Sequence, residues 1–343
     1  MNLLVDRHHS DLFWSLQLLA ERLGGKLYTP HGIQWYDEGY FGIYGDLRRK
    51  NPERFLAKQY LVDTIFDSDG STGISRETYN GCYDYPKLNL LTFEQIKNIQ
   101  IDIVICTLHE NEQSFAKLKE FYPNAKFIRQ VGNDLDTLID ESLYPNLLSS
   151  ATAPFNAFKG HKVLYRQEWD TTLCGYNQIP TDFKNIYSFQ NDIEQFEETW
   201  TFWTDLKHKL RDYKFQSFGV ACEQGKIYPK REYFRKMLEA TFIVQSKGPW
   251  EGYGHVLHNA MWLGRPMILK FSDYAGKMAE PLLIKDETYL EMTDPDIIEK
   301  IKYYSEPERF LKMSERCRQV FRENIDFDKE WTDKLKPFFD NLV

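Results

Sequence analysis

Residues 241–269, TFIVQSKGPWEGYGHVLHNAMWLGRPMIL, carry the most regular pattern in the chain. The apolar run TFIV is typical of a buried strand, and a glycine-containing loop follows it. From Gly254 onward apolar residues recur at helical spacing, and RPMIL predicts a second strand. A strand, a helix and a strand in this order predict a parallel crossover, the building unit of an α/β sheet.

The same alternation of strands and helices recurs on both sides of this segment. An apolar run at 2–5, a helical pattern at 10–23 and a short strand at 26–30 predict a β-α-β unit at the start of the chain. Residues 31–90 show little periodicity, and we interpret them as a long excursion with short helices. The rhythm returns with the strand IDIVIC at 101–106.

Two successive blocks of this kind, with a hinge near 175–185, predict an α/β protein of two Rossmann-like domains that face a cleft. We expect an N-terminal domain over 1–180, a C-terminal domain over 181–325 and a final helical segment over 326–343 that packs back on the N-terminal domain. That segment has an apolar stripe that must be buried, formed by Trp331, Leu335, Phe338 and Leu342. Pro337 within the stripe predicts a kink or an early end of the helix.

Composition limits the class of protein. Hydrophobic residues make up 42% of the 343 and aromatic residues 15%, which excludes global disorder and supplies a packed core. No apolar run is long enough for a membrane span, and the N-terminus has no secretion signal, so we expect a cytoplasmic protein. The five cysteines are scattered without a CxxC pair, which indicates free thiols and no zinc site. A net charge of −8 disfavours a broadly basic nucleic-acid surface and leaves only a local patch open.

Polar residues surround the start of the predicted helix near Gly254. A helix N-terminus presents unpaired N–H groups and a positive dipole end, which suits a phosphate. Glu251 precedes the helix in what we expect to be an open loop. His255, Asn259 and Trp262 share one helix face and are predicted to line a cleft. An ordinary strand-loop-helix unit with no ligand has the same pattern.

The segment from Ser246 to Ile268 resembles the nucleotide-sugar-binding signature of GT-B fold glycosyltransferases, in particular the retaining E-x7-E class (glycosyltransferase group 1). The resemblance covers about 25 residues of the chain. The matching positions are Ser246, Glu251, Gly252, Tyr253, Gly254, Ala260, Met261, Gly264 and Pro266.

The resemblance implies roles for the residues of this motif. Glu251 would be a catalytic residue that contacts the sugar hydroxyls. Gly252, Tyr253, Gly254 and the adjoining His255 would bind the sugar and phosphates through the loop and the helix N-terminus. The second glutamate of the motif, which holds the ribose in the family, is Asn259 here. An amide keeps the capacity to hydrogen-bond a hydroxyl but loses the charge.

A departing diphosphate needs positive charge, and the family's arginine and lysine have no clear counterpart near SFQND. Lys247 is the first candidate for this role, followed by Arg231 and Arg265. Each of these three residues also fits a purely structural or solvent-exposed position.

Acidic pairs at metal-binding spacing also occur, and we interpret them as surface turns or helix caps, so no metal site is predicted. These Asp-x-Asp triplets are Asp67–Asp69, Asp134–Asp136, Asp294–Asp296 and Asp326–Asp328. Glu168 and Arg166 follow a strand near the hinge, where they fit a structural ion pair or a place in the cleft.

Histidines follow predicted strands of the N-terminal domain, at the edge where α/β folds bind ligands. His109 matches, by position only, a histidine that related glycosyltransferases keep near the donor sugar. His8 and His9 follow the first strand, and at most one of the two should reach the cleft. His9 is the candidate general base, with Asp6 or Asp11 to orient it. A retaining reaction requires no such base, and either histidine also fits a solvated loop.

Together the residues and the resemblance predict a glycosyltransferase. It would move a sugar from a nucleoside-diphosphate sugar, a UDP- or GDP-sugar, to an acceptor hydroxyl with retention and without a metal. The donor is a substrate, and no cofactor is expected. The donor would bind the C-terminal domain and the acceptor, a carbohydrate or another hydroxyl compound, the N-terminal domain. Two alternatives stay open: a nucleotide-sugar epimerase or hydrolase on the same fold, and a non-catalytic sugar-nucleotide-binding protein, which the change to Asn259 favours.

Overall fold

The computed structural model describes two compact units. The described residues are 1–6, 10–30, 89–91, 96–107, 112, 115, 117–135, 137–169, 171–173, 178–219, 221–225, 227 and 230–343. Unit 1 comprises Met1–Asp170 and Phe327–Val343, and unit 2 comprises Thr171–Asp326. The excursion predicted for residues 31–90 lies outside the described part except for its last two residues, which belong to a strand.

Parallel strands form the sheet of unit 1, as the buried apolar runs predict. They are β1 (Asn2–Val5), β2 (Lys26–Pro30), β3 (Asn89–Leu91), β4 (Ile103–Cys106), β5 (Lys126–Val131), β6 (Asn146–Ser149) and β7 (His161–Leu164). Their order across the sheet is β3-β2-β1-β4-β5-β6-β7, with all neighbours parallel. The strand order reverses between β1 and β4, which is the position where doubly wound sheets bind ligands. In the described part of the chain, helices α1 (Ser10–Arg22) and α2 (Thr152–Ala157) accompany these strands.

Unit 2 repeats the architecture with a smaller sheet. Its strands are β8 (Asn185–Ser188), β9 (Lys214–Ser217), β10 (Phe242–Val244), β11 (Met267–Leu269) and β12 (Tyr289–Glu291). The order is β12-β11-β10-β8-β9, again with all neighbours parallel. Its helices are α3 (Glu197–Lys209), α4 (Lys230–Glu239), α5 (His255–Trp262), α6 (Ile297–Tyr304) and α7 (Pro307–Asn324). The order reverses between β8 and β10, so this pair marks the ligand-binding edge of unit 2.

The core of unit 2 joins side chains of four strands to helices α3, α6 and α7. Trp203 of α3 is 1% exposed and packs with Ile186, Val244 and Ile268 of the sheet. Gly264 ends α5 at a φ of +68°, and a Cβ there would lie 2.8 Å from the Ser314 carbonyl oxygen of α7. Only glycine permits both the left-handed turn and the close approach of these two helices.

The end of the chain packs within unit 1. It contains α8 (Phe327–Glu330), a π-helical turn (Trp331–Leu335) and α9 (Lys336–Asp340). Leu335, Phe338 and Phe339 are buried, and the Phe338 ring stacks on His161 of β7 with centroids 4.7 Å apart. Pro337 follows the π-helical turn directly, within a helical stretch that runs without a break from Phe327 to Asp340. The π-helical turn before it is the irregularity that the proline predicts.

No helix in the described ranges is long and apolar enough to cross a membrane.

Candidate functional site

The loop after β10 lies at the point where the strand order of unit 2 reverses. Gln245 and Ser246 follow β10 directly, and Gln190 follows the neighbouring strand β8. All three side chains are 3% exposed or less. Buried polar groups at this edge need partners, because an unpaired donor or acceptor away from water is costly.

A network of hydrogen bonds fixes the first half of the loop. The Ser246 backbone N–H donates to Gln190 Oε1 (3.1 Å), and Thr199 Oγ1 donates to the Ser246 carbonyl oxygen (2.6 Å). Asp273 accepts two bonds at Oδ2, one from Ser246 Oγ and one from the Gly248 N–H (2.9 Å). These hydrogen bonds therefore hold the first half of the loop against the rest of unit 2.

Glu251 is buried, so the expectation of an open loop was wrong. Its side chain is 2% exposed because Gln245 and Tyr274 cover it. Gln245 Nε2 donates to Glu251 Oε2 at 3.0 Å, and the Tyr274 hydroxyl donates to the same oxygen at 3.1 Å. No hydrogen bond from the described residues reaches Oε1. One oxygen is thus held in place and the other is left for a ligand.

Tyr274 acts as a donor to this carboxylate. Complete burial, and next the negative charge of Glu251, raise the pKa of Tyr274 well above its ordinary value. The hydroxyl therefore keeps its proton across the physiological range and remains able to donate to Glu251.

The second half of the loop leads into α5. Gly254 has a φ of +78° and is the N-cap residue of α5, as the sequence predicts. Across the described residues, the N–H groups of Gly252 and Gly254 meet no acceptor. Tyr253 is 2% exposed, and its ring stacks on His258 with centroids 4.2 Å apart, while the half-buried His255 packs against its edge. This aromatic packing fixes the backbone at the helix N-terminus.

On α5, Asn259 and Trp262 are both 2% exposed. Trp262 packs edge-on against Phe234 of α4 with centroids 5.2 Å apart, so its predicted place in a cleft was wrong. An apolar partner on the neighbouring helix attracts the large indole into the core. Asn259 Nδ2 is buried without a hydrogen-bond partner.

Two further amide atoms near the loop have no partner in the described part of the chain, Gln190 Nε2 and Gln245 Oε1. Their orientations are fixed by their other ends. Gln190 Oε1 accepts from an N–H, and Gln245 Nε2 donates to a carboxylate, so neither amide can be flipped. Together with Asn259 Nδ2, the site offers two free donors and one free acceptor.

The three candidates for the cation that stabilises the diphosphate differ in burial and in their partners. Lys247 is half-buried in the loop, and its ammonium forms no ion pair within the described residues. Arg265 is 0% exposed and donates to carbonyl oxygens, among them those of Gln178 and Leu238. It is a structural residue and cannot reach a diphosphate. Arg231 lies exposed near the start of α4.

The structure describes only some of the catalytic candidates predicted in unit 1. His9 and His109 lie outside the described residues. Asp6 is buried and accepts bonds from the Thr107 N–H (2.7 Å) and hydroxyl (2.6 Å), which holds together the ends of β1 and β4.

Glu168 and Arg166 form the structural ion pairs that the sequence allowed. Glu168 pairs with Arg22 of α1 at 2.7 Å, and Arg166 pairs with Glu330 at 3.4 Å. Of the described members of the acidic triplets, Asp294 pairs with Lys300.

Four residues of the site were missed from the sequence: Gln190, Gln245, Asp273 and Tyr274. For the two glutamines a signal existed, because each follows a buried strand closely at the binding edge. Asp273 and Tyr274 lie after β11 and carry no motif, so only the fold brings them to Ser246 and Glu251.

Comparison with known proteins gives matches in structure alone. No family model matches the chain, and no curated protein matches its sequence. HepE from Anabaena, solved in complex with UDP-glucose, has a TM-score of 0.61 at 10% identity over 99% of this chain and 100% of its own. A glycosyltransferase from Rickettsia africae has a TM-score of 0.56 at 11% identity over 99% and 98%.

A TarM mutant from S. aureus, solved with UDP among its ligands, has a TM-score of 0.51 at 14% identity over 70% of this chain. The chain spans only 55% of that protein's length. Likeness at such low identity establishes the fold and leaves activity open. The two parallel sheets with flanking helices give this chain the fold of the GT-B glycosyltransferases.

Proposed function

We propose that the protein is a glycosyltransferase that moves a sugar from a nucleoside-diphosphate sugar to an acceptor hydroxyl. Unit 2 would bind the donor at the loop after β10. The observation that carries this proposal is Glu251, whose Oε2 is fixed by two donors while Oε1 is left without a partner among the described residues. An oriented carboxylate oxygen is a suitable acceptor for sugar hydroxyls.

The backbone next to Glu251 supports the same proposal. The N–H groups of Gly252 and Gly254 meet no acceptor in the part of the chain described, and α5 begins immediately after them. Such a helix N-terminus favours the negative charge of a diphosphate. Lys247, with its ammonium unpaired among the described residues, would add the positive charge that the leaving group requires.

The reaction would proceed by positioning and electrostatic stabilisation. The bond between the anomeric carbon and the diphosphate oxygen breaks, and its electron pair leaves with the nucleoside diphosphate. The acceptor oxygen forms the new bond to the anomeric carbon and passes its proton to an oxygen of the departing diphosphate. Glu251 would hold the sugar, and Lys247 with the α5 N-terminus would stabilise the departing charge.

Retention of configuration and independence from metals are parts of the proposal that need their own tests. The anomeric configuration of the product, measured by proton NMR, would match that of the donor. Transfer would continue in EDTA. Loss of transfer in EDTA that manganese or magnesium restores would contradict the metal-free scheme.

The first experiment is a calorimetric binding screen of UDP, GDP and their glucose and mannose conjugates, because HepE on the same fold holds UDP-glucose. A good ligand would also raise the melting temperature by mass action. Release of the diphosphate, without acceptor and with a panel of sugar acceptors, then separates transferase from hydrolase or epimerase. Tight binding without release under any condition would instead support a binding protein. Failure of every nucleotide to bind would overturn the proposal.

Glu251→Gln tests the carboxylate itself. Alanine is unsuitable here, because it would leave Gln245 and Tyr274 without their acceptor in a buried place. Glutamine retains the size and one oxygen, and we expect transfer to fall about 100-fold or more. Glu287→Gln is the matched control, because Glu287 is in the same unit and its side chain is 51% exposed. Wild-type turnover in Glu251→Gln would remove Glu251 from the site.

A further inference from the structure

Two buried carboxylates belong to the candidate donor site. Glu251 is 2% exposed and Asp273 is 9% exposed, and the loop after β10 connects them through hydrogen bonds. Gln245 binds Glu251, and the adjacent Ser246 binds Asp273. Neither carboxylate forms an ion pair with any described residue.

Tyr274 is close to both charges. Its hydroxyl contacts Glu251 Oε2 at 3.1 Å, and it follows Asp273 in sequence. Burial raises the pKa of Tyr274, and the negative charges of Glu251 and Asp273 both add to that increase. Both charges therefore act on the same small region, with no described cation paired to either.

The unpaired amide groups of this site are neutral. Gln190 Nε2 and Asn259 Nδ2 are free donors, and Gln245 Oε1 is a free acceptor, in side chains that are 2% exposed or less. A mixture of free donors and acceptors complements hydroxyl groups, which donate and accept at one oxygen. A carboxylate ligand could use only the donors.

Two lysines near these carboxylates, Lys277 and Lys247, have other roles. The Lys277 ammonium donates to the Glu251 backbone carbonyl oxygen. Lys247 is the group assigned above to the diphosphate. A negatively charged sugar would therefore meet two carboxylates of like charge, with no cation dedicated to it among the residues that the structure describes.

We propose that this site selects an uncharged, hydroxyl-bearing sugar and rejects the corresponding uronic acid. The inference rests on the proposed function and adds the substrate class to it. Selection would come from repulsion by Glu251 and Asp273 together with hydroxyl recognition by Gln190, Gln245 and Asn259.

Matched donor pairs test this selection. UDP-glucose and UDP-glucuronate differ only at carbon 6, and GDP-mannose and GDP-mannuronate form a second pair for the other base. Calorimetry on the full chain would measure all four, with UDP and GDP alone as references. We expect each uronate to bind about tenfold more weakly, or worse, than its neutral partner.

Two variants, Glu251→Gln and, separately, Asp273→Asn, would then be measured with the donor pair that binds. Each removes one negative charge at constant size, so each should reduce the ratio of the affinity for the neutral sugar to the affinity for the uronate. Glu287→Gln would leave the ratio unchanged. Equal affinity for the two members of a pair, or a ratio unaltered in both variants, overturns the selection while the proposed function stands. Absence of binding by all nucleotides overturns both.

Discussion

The two sheets differ in the residue that joins the strands where the strand order reverses. In unit 1 the strands at the reversal, β1 and β4, are joined by Asp6, which accepts both the N–H and the hydroxyl of Thr107. In unit 2 the strands at the reversal, β8 and β10, are joined by Gln190, which accepts from Ser246 and leaves its own Nε2 unpaired. Among the described residues, the carboxylate that links β1 to β4 has its donors within the sheet, whereas the amide that links β8 to β10 keeps one donor unpaired.

On the proposed function, this difference separates a residue that stabilises the fold from residues that bind a ligand. Unsatisfied buried groups cost stability, and a ligand that pairs with them would offset that cost. Asp6 should accordingly matter to folding, and the Gln190–Gln245–Glu251 group should matter to ligand binding.

Deletion of residues 330–343 should have the largest effect, confined to stability. It removes the buried Leu335, Phe338 and Phe339 from unit 1. We expect a loss on the order of 5 kcal/mol, measured by urea unfolding and by the melting temperature. Lys329→Ala, at a side chain that is 73% exposed, is the control. An unchanged melting temperature would show that the chain end is not part of the unit 1 core.

Asp6→Ala should cost about 2–4 kcal/mol, because the two Thr107 donors would then be buried without an acceptor. Nucleotide affinity should not change. Urea unfolding and calorimetry would be run on the same preparation. A loss of affinity without a loss of stability would reverse the contrast between the two edges.

Gln245→Leu should show the opposite pattern. It removes one donor to Glu251 and also an acceptor that is already unpaired, so the stability loss should be about 1 kcal/mol or less. Affinity for the preferred nucleotide-sugar should fall about tenfold, because Glu251 loses one of two restraints. Thr204→Val, an exposed hydroxyl on α3, serves as a control. Unchanged affinity would separate Gln245 from the site.

Tyr274→Phe should have the smallest effect at neutral pH, about 1 kcal/mol from one lost hydrogen bond. The difference should appear in alkali. In the unfolded chain a tyrosine ionises near pH 10, while burial and Glu251 hold the pKa of Tyr274 higher in the folded protein. Its contribution to stability is complete below pH 10 and is lost as the pH rises above that value. The variant should therefore lose less stability than the wild type above pH 10, and parallel pH curves would contradict this.

Much of the fold could be predicted from the sequence because its signals are local. The buried runs TFIV and IVIC and the helix beginning after Gly254 depend on residues within one element. The two-sheet α/β architecture follows from their alternation and was confirmed. Strand β3 was missed because three residues give too little periodicity to distinguish a strand from a loop.

The site was less predictable because its partners come from distant positions. Glu251 was recognised, but its burial depends on Tyr274, which lies 23 positions further along the chain. Loops are generally exposed, so a loop glutamate covered by a following segment has no local signal. Trp262 was misplaced for a similar reason, because its partner Phe234 belongs to another helix.

The position of the last helix affects the order in which the two units can fold during synthesis. Unit 2 is one continuous stretch, Thr171–Asp326, while unit 1 is assembled from Met1–Asp170 and Phe327–Val343. On the ribosome, unit 2 has all of its residues before unit 1 receives its last helix. The partner of His161, Phe338, is made 177 residues later, and the partner of Asn146, Val343, is made 197 residues later. The middle of this protein can therefore finish folding first, and the first-made unit finishes last.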